Sequence, residues 1–195
     1  MENIEIEIKI KIDEQTHQRV KEFLEQKAQF GGKSREKDQY FSPSNRNFLA
    51  PEYPYEWLRL REKNDKVIFN YKHWYPENSH ESTHCDEYES SISNVEAFIK
   101  ILHALGINML IKVDKTREKY VYQESFEIAL DYVEELGYFI EIEYRGHSND
   151  VTEAQQNLFR IATELQIDIS KRDNRGYPFL MLEQKGLLKN YKDDQ

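Results

Sequence analysis

The sequence predicts an α+β domain built on a large antiparallel sheet or barrel. Three observations lead there. Residues 4–12 read Ile-Glu-Ile-Glu-Ile-Lys-Ile-Lys-Ile, the period-2 alternation of a strand with one apolar and one charged face. Further strand-like segments follow one another through most of the chain. Helical periodicity is confined to the front, the middle and the rear. Strands in succession with few intervening helices point to antiparallel pairing rather than to repeated βαβ units.

The first strand places Ile4, Ile6, Ile8, Ile10 and Ile12 on one face and Glu5, Glu7, Lys9 and Lys11 on the other. Asp13 is suited to cap a helix reaching about Lys27, with Val20, Phe23 and Leu24 as its apolar stripe. Gly31-Gly32 is expected to break it. A strand at Lys37–Phe41 follows, then a turn-rich loop over 42–54. Tyr55–Arg61 and Val67–Trp74 alternate again. The polar stretch 75–84 reads as a loop, and Cys85–Ser90 as a short strand. Ser93 is expected to cap a helix over Asn94–Leu105, ended by Gly106. Met109–Tyr122, Ser125–Val133 and Tyr138–Arg145 complete the strands. Asn149 or Asp150 is expected to start an amphipathic helix to about Leu165. Residues 172–178 read as a turn, followed by a short apolar piece, Phe179–Leu182.

The chain has 195 residues, which suits one domain over 1–188 with a frayed tail at 189–195. No internal repeat and no linker divides it. Hydrophobic content is 38%, modest but reinforced by 13 Tyr, 10 Phe and 2 Trp, each of which buries much area. The net charge of −9 argues against nucleic acid or an anionic membrane as a general partner. One cysteine, Cys85, permits no internal disulfide and suggests a reducing, cytoplasmic setting. No apolar run is long enough for a transmembrane helix. His80, His84 and Cys85 lack a second cluster to complete a zinc site. A P-loop is excluded because no Gly-x-x-x-x-Gly-Lys occurs.

The charged strand faces carry the functional signal. Aligned by parity they hold Glu5, Glu7, Lys9, Lys11, Arg59, Arg61, Lys72, Glu87, Glu89, Lys115, Arg117, Asp131, Glu141 and Glu143, seven acids and seven bases. Solvated strand faces alternate polar-out as a matter of course. Here, however, acids neighbour acids and bases neighbour bases, whereas a face built for stability would intersperse them. A sheet curled into a barrel places such faces inside, with helices covering the apolar outside, and buried charge on this scale demands partners. Carboxylates suit Mg²⁺ or Mn²⁺, while Arg and Lys suit phosphate oxygens. Seven bases exceed the needs of one phosphate and suit a triphosphate.

The ordered set resembles the CYTH superfamily, the triphosphate tunnel metalloenzymes, which include class IV (CyaB-like) adenylyl cyclases, thiamine triphosphatases and inorganic tripolyphosphatases. Its landmarks run from Glu5-x-Glu7-x-Lys9 through Asp38-Gln-Tyr40-Phe41, Leu58-Arg59-Leu60-Arg61, Lys72, Glu87-Tyr88-Glu89, Lys115-Thr116-Arg117 and Ala129-Leu130-Asp131 to Glu141-Ile142-Glu143. The resemblance implies an eight-stranded antiparallel tunnel with a charged lumen and flanking helices. It implies metal held by Glu5, Glu7 and Glu143, with Glu141, Asp131, Glu87 and Glu89 as helpers or ligands of a second metal. Lys9, Arg59, Arg61, Lys72, Lys115 and Arg117 would clamp the triphosphate, and Glu5, Glu7, Lys9 and Glu143 would be catalytic. Trp57 looks like the tryptophan that stacks on thiamine in the triphosphatases, and Gly176-Tyr177-Pro178 looks CyaB-like. The expected activity is Mg²⁺- or Mn²⁺-dependent turnover of ATP, thiamine triphosphate or tripolyphosphate by phosphohydrolysis. The alternatives are a class IV cyclase making cAMP and pyrophosphate, and a non-catalytic nucleotide or polyphosphate-binding module. A homodimer is left open; nucleic acid and membrane are not expected as partners.

Overall fold

A computed structural model describes residues 6–79, 84–146, 151–173 and 175–188. It contains eight strands: β1 (Ile6–Ile12), β2 (Gln29–Pro43), β3 (Glu56–Lys63), β4 (Lys66–Tyr75), β5 (His84–Ser91), β6 (Ile107–Tyr122), β7 (Phe126–Val133) and β8 (Gly137–Tyr144). Four helices accompany them: α1 (Glu14–Lys27), α2 (Val95–Ala104), α3 (Val151–Glu164) and α4 (Tyr177–Gln184). The strands form one sheet in the order β1-β8-β7-β6-β2-β3-β4-β5, and the registered pairs β1–β8, β7–β8, β6–β7, β2–β3, β3–β4 and β4–β5 are antiparallel. The expected count and sense of the strands hold. Among the described residues the ladder ends at β1 and β5 without pairing them, so the hydrogen-bonded sheet is not a closed barrel. No described helix is long and apolar enough to cross a membrane.

The chain divides into two compact units, residues 1–35 with 115–175 and residues 36–114 with 176–195. Strands β2 and β6 contribute to both.

In the first unit the isoleucine face of β1 does what its alternation predicts. Ile8 and Ile10 are buried with Ile140 and Ile142 of β8, against Val20 and Leu24 of α1 and Leu158 and Ile161 of α3. Burying one face against helices leaves the charged face of the same strands on the other side. Asp13 caps α1 by accepting from the Thr16 amide at 2.7 Å, as its position before the apolar stripe requires. The helix ends at Ala28, ahead of the glycines. Gly31 and Gly32 lie inside β2, which begins well before the expected Lys37. Gly31 allows close approach, since a Cβ there would stand 3.3 Å from the Lys119 carbonyl oxygen, while Gly32 takes a φ of 120° that L side chains rarely adopt.

In the second unit Phe41, Leu60 and Leu102 form the core with Leu58, Phe69 and Phe98, seating α2 on the apolar face of β3 and β4. The cap of α2 is Asn94 rather than Ser93; its side chain accepts from the Ala97 amide at 3.0 Å. Asn64 and Asp65, with φ of 47° and 61°, make the two-residue turn between the paired Lys63 and Lys66. The apolar piece near the C-terminus is helical, with Tyr177, Phe179, Met181 and Leu182 buried in α4 and Pro178 in its first turn. The expected helix start at Asn149 or Asp150 and the tail 189–195 lie outside the described residues.

Candidate active site

The polar face of the first unit can be built row by row from the strand registers. Glu7 of β1 lies opposite Glu143 of β8, which lies opposite Glu127 of β7. The next row holds Lys9, Glu141, Ala129 and Lys119. The row after that holds Lys11, Phe139, Asp131 and Arg117, and Lys115 follows opposite Val133.

Three carboxylates in one cross-strand row are destabilising unless cations relieve them. Arg145 does part of this, reaching Glu143 at 3.0 Å and Glu127 at 3.5 Å, and Lys119 pairs with Glu127. Glu7 remains solvent-exposed and Glu143 is half-buried, so this row can be reached from solvent. Their hard oxygen donors are of the kind a divalent cation takes. Among the described residues no three such side chains converge as they stand to hold a metal. Glu5, which shares the strand parity of Glu7, lies outside the described residues.

The next two rows form a buried ion network. Arg117 donates from Nε to Asp131 Oδ1 at 2.7 Å and from Nη2 to Oδ2 at 2.5 Å, and it also bonds Glu141. Ala129, between Lys119 and Glu141 in its row, has only a methyl group there. Lys9 Nζ stands 3.1 Å from Glu141 Oε1, and Lys115 Nζ 3.7 Å from Asp131 Oδ2. Asp131 has no exposed surface, and Lys9, Lys115 and Glu141 are buried as well. Burial by itself would push the Glu141 carboxyl up; Lys9, Arg117 and Lys115 outweigh it and hold the group well below the usual carboxylate range. Burial would likewise lower the Lys9 ammonium, but Glu141 and Glu7 reverse that, and its pKa is raised. Glu141 and Lys9 thus each favour the charged form of the other. Lys11 is exposed, with its ammonium over the Phe139 ring.

A contact that sequence reasoning missed joins this face at β1. The segment after α3 bridges Ile10 through Arg172, and the Asp173 amide donates to the Lys9 carbonyl at 2.8 Å. Asp173 then holds the Arg175 guanidinium at 2.9 and 2.7 Å. Burial would raise the Asp173 carboxyl, but Arg175 and then Lys9 bring it down. Nothing local in the sequence signals that this turn docks on the first strand.

The second unit carries its own charged face. One row holds Asp38, Arg61 and Ile68; the next Tyr40, Arg59, Asn70 and Glu89; the next Trp57, Lys72 and Glu87. Arg61 is gripped by Asp38 at 2.7 and 2.6 Å and by Glu36 at 3.4 Å. Burial would lower its pKa; Asp38 and Glu36 raise it instead. Lys72 stands 3.2 Å from Glu87 and 5.7 Å from the Trp74 ring centre. Arg59 donates to Asn70 Oδ1 at 3.1 Å, and Asn70 donates to Glu87 Oε1 at 2.5 Å. Glu89 is exposed, and Trp57 meets Tyr40 edge to face at 5.7 Å. Asp38 and Glu36 are the functional-looking residues that parity could have found, since Asp38 lies in register with Arg61 and Glu36 with Lys63.

With the fold and these faces in place, comparison with known proteins defines the class. The family model of the CYTH domain matches residues 3–177. The chain belongs to the CYTH family, a family of triphosphate-binding enzymes. A Methanocaldococcus jannaschii protein named "Putative adenylate cyclase" is 29% identical over 185 residues, covering 94% of this chain and 99% of that protein. The solved Pyrococcus horikoshii protein PH1819 is 32% identical with a TM-score of 0.73, covering 92% of this chain and 99% of that one. The Hippeastrum cyclase-like protein HpAC1, reported to have a dominant triphosphatase activity, shares the fold at a TM-score of 0.62 and 16% identity, over 94% of this chain and 95% of its own.

Proposed function

We propose that this protein is a divalent-metal-dependent phosphohydrolase of triphosphates. The observation that carries the reading is the solvent-accessible row of Glu7, Glu143 and Glu127 beside the buried Lys9 and Lys115 and the partly buried Arg117. A row of like charges suits a cation, and a cationic face suits phosphate oxygens. Glu7 and Glu143, with Glu5, would hold Mg²⁺ or Mn²⁺; Glu141, Asp131, Glu87 and Glu89 would assist or serve a second ion. A bound divalent cation supplies neutralisation of phosphate charge and polarisation of the nucleophile. Lys9, Lys115 and Arg117 on the face of the first unit would bind non-bridging oxygens and neutralise the charge that builds as the bond breaks; Arg59, Arg61 and Lys72, on the face of the second unit, are cations of the same kind, suited to phosphate oxygens. Water attacks the terminal phosphorus, the bridging P–O bond breaks, and the shortened phosphate chain leaves with that oxygen.

A second reading is cyclisation of ATP by its ribose 3′-hydroxyl with loss of pyrophosphate; the name of the Methanocaldococcus jannaschii relative favours it. Product analysis separates the two. With ATP, thiamine triphosphate or tripolyphosphate and Mg²⁺ or Mn²⁺, hydrolysis releases orthophosphate, whereas cyclisation releases cAMP and pyrophosphate from ATP alone. Glu7→Gln and Glu143→Gln are each expected to lower kcat at least about 100-fold, with the circular dichroism spectrum unchanged. Full activity in both variants sinks the assignment of these carboxylates. Triphosphate binding without turnover under any of these conditions replaces the enzyme by a binding module.

A further inference from the structure

We infer that Asn70 is a positioning residue of the triphosphate clamp: a neutral bridge that orients the Arg59 guanidinium without cancelling its charge. The inference rests on the triphosphate reading above. Five of the six clamp cations have a carboxylate partner: Lys9 has Glu141, Arg61 has Asp38, Lys72 has Glu87, Lys115 has Asp131, and Arg117 has Asp131 and Glu141. Arg59 differs. Its partners among the described residues are the Asn70 amide oxygen at 3.1 Å and the Tyr40 hydroxyl, both neutral.

Asn70 is 1% exposed. Both ends of its amide are used, since Oδ1 accepts from Arg59 and Nδ2 donates to Glu87 at 2.5 Å. The β3–β4–β5 registers place it between the strands carrying those two residues. An aspartate of the same shape would hold Arg59 more strongly, but would neutralise it and crowd a second carboxylate against Glu87. The buried amide thus fixes a guanidinium fork whose charge stays available to an incoming anion. This is preorganisation: the fork is aimed before the phosphate oxygens arrive, so little is lost in ordering it on binding.

The test ranks two variants of the full-length protein by their affinity for inorganic tripolyphosphate, measured by calorimetry without metal, alongside their melting temperatures. Asn70→Asp is expected to weaken binding at least tenfold. Asn70→Ser, which leaves the Arg59 charge uncancelled, is expected to weaken it about threefold. A packing role predicts the opposite order, because aspartate preserves the shape and the bond from Arg59 while serine loses both ends. An Asn70→Asp effect equal to or milder than that of Asn70→Ser overturns the inference. If Asn70→Asp does not fold, a double-mutant cycle decides. Asn70→Ser should cost nothing further in an Arg59→Lys background, where there is no fork to orient, and a repeated threefold loss refutes the positioning role. Failure of the wild-type protein to bind tripolyphosphate overturns the triphosphate reading itself, and this inference with it.

Discussion

Asp131 and Glu143 are both acids on the same polar face, yet their surroundings assign them different work. Asp131 has no exposed surface and is bonded to Arg117 and close to Lys115. Asp131→Ala removes that partner from two buried cations, and breaking a buried pair from one side costs on the order of 3–5 kcal/mol. Asp131→Asn keeps the shape and an acceptor, so its loss should be smaller. Urea denaturation checks this; a loss below about 1 kcal/mol for the alanine variant, less than an ordinary buried hydrogen bond is worth, would show that the network does not hold the sheet. Glu7 and Glu143 sit where solvent reaches them, so their removal should spare stability and strike turnover. Strand parity placed all these residues on charged faces. It could not separate a carboxylate that faces solvent from one enclosed by cations, because that depends on the neighbouring strands.

Elements were most legible where the signal is local. The cap at Asp13, the isoleucine face of β1 and the alternation of β3 and β4 all follow from adjacent residues. The length of β2 was not legible, because Gly31-Gly32 looks like a break, whereas both lie inside the strand and Gly31 is a place of close approach to Lys119. The ties between elements were also hidden. Glu118 of β6 receives Lys33 of β2 at 2.7 Å and Lys21 of α1 at 2.9 Å, joining a helix to two strands inside the first unit. Burial would raise the Glu118 carboxyl, but the two lysines bring it down from 4.5 to about 2. A folded-state value below the unfolded one means that the stabilisation is present above about pH 4.5 and is lost as pH falls towards about 2. Glu118→Gln should therefore be less stable than the wild type at pH 7, and the gap should close as the pH drops through that window. Denaturation midpoints at pH 7, 4.5 and 3 read it directly, and a gap that does not change with pH would refute the tie.

At the scale of the whole molecule, composition and site pull in opposite directions. The fourteen charged residues singled out by parity balance, seven against seven, so the net charge of −9 resides elsewhere in the chain. That balance is why composition alone argued against polyanion partners while the ordered pattern argued for one. It also has a kinetic consequence. A tripolyphosphate carrying about four negative charges, about 25 Å from a net charge of −9, meets a repulsion of a few kcal/mol at about 10 mM salt, where the Debye length is about 30 Å. At about 150 mM that length is about 8 Å, and the same term falls roughly tenfold. The clamp cations act at contact distances and are screened far less. Metal-free association of tripolyphosphate should therefore speed up as salt rises from about 10 to 150 mM, the reverse of the usual behaviour of a basic site. At higher salt the contact term weakens and affinity should fall. Stopped-flow binding across that range tests the balance: an association rate that only decreases from the lowest salt upward would mean that the local cations govern the approach as well as the grip.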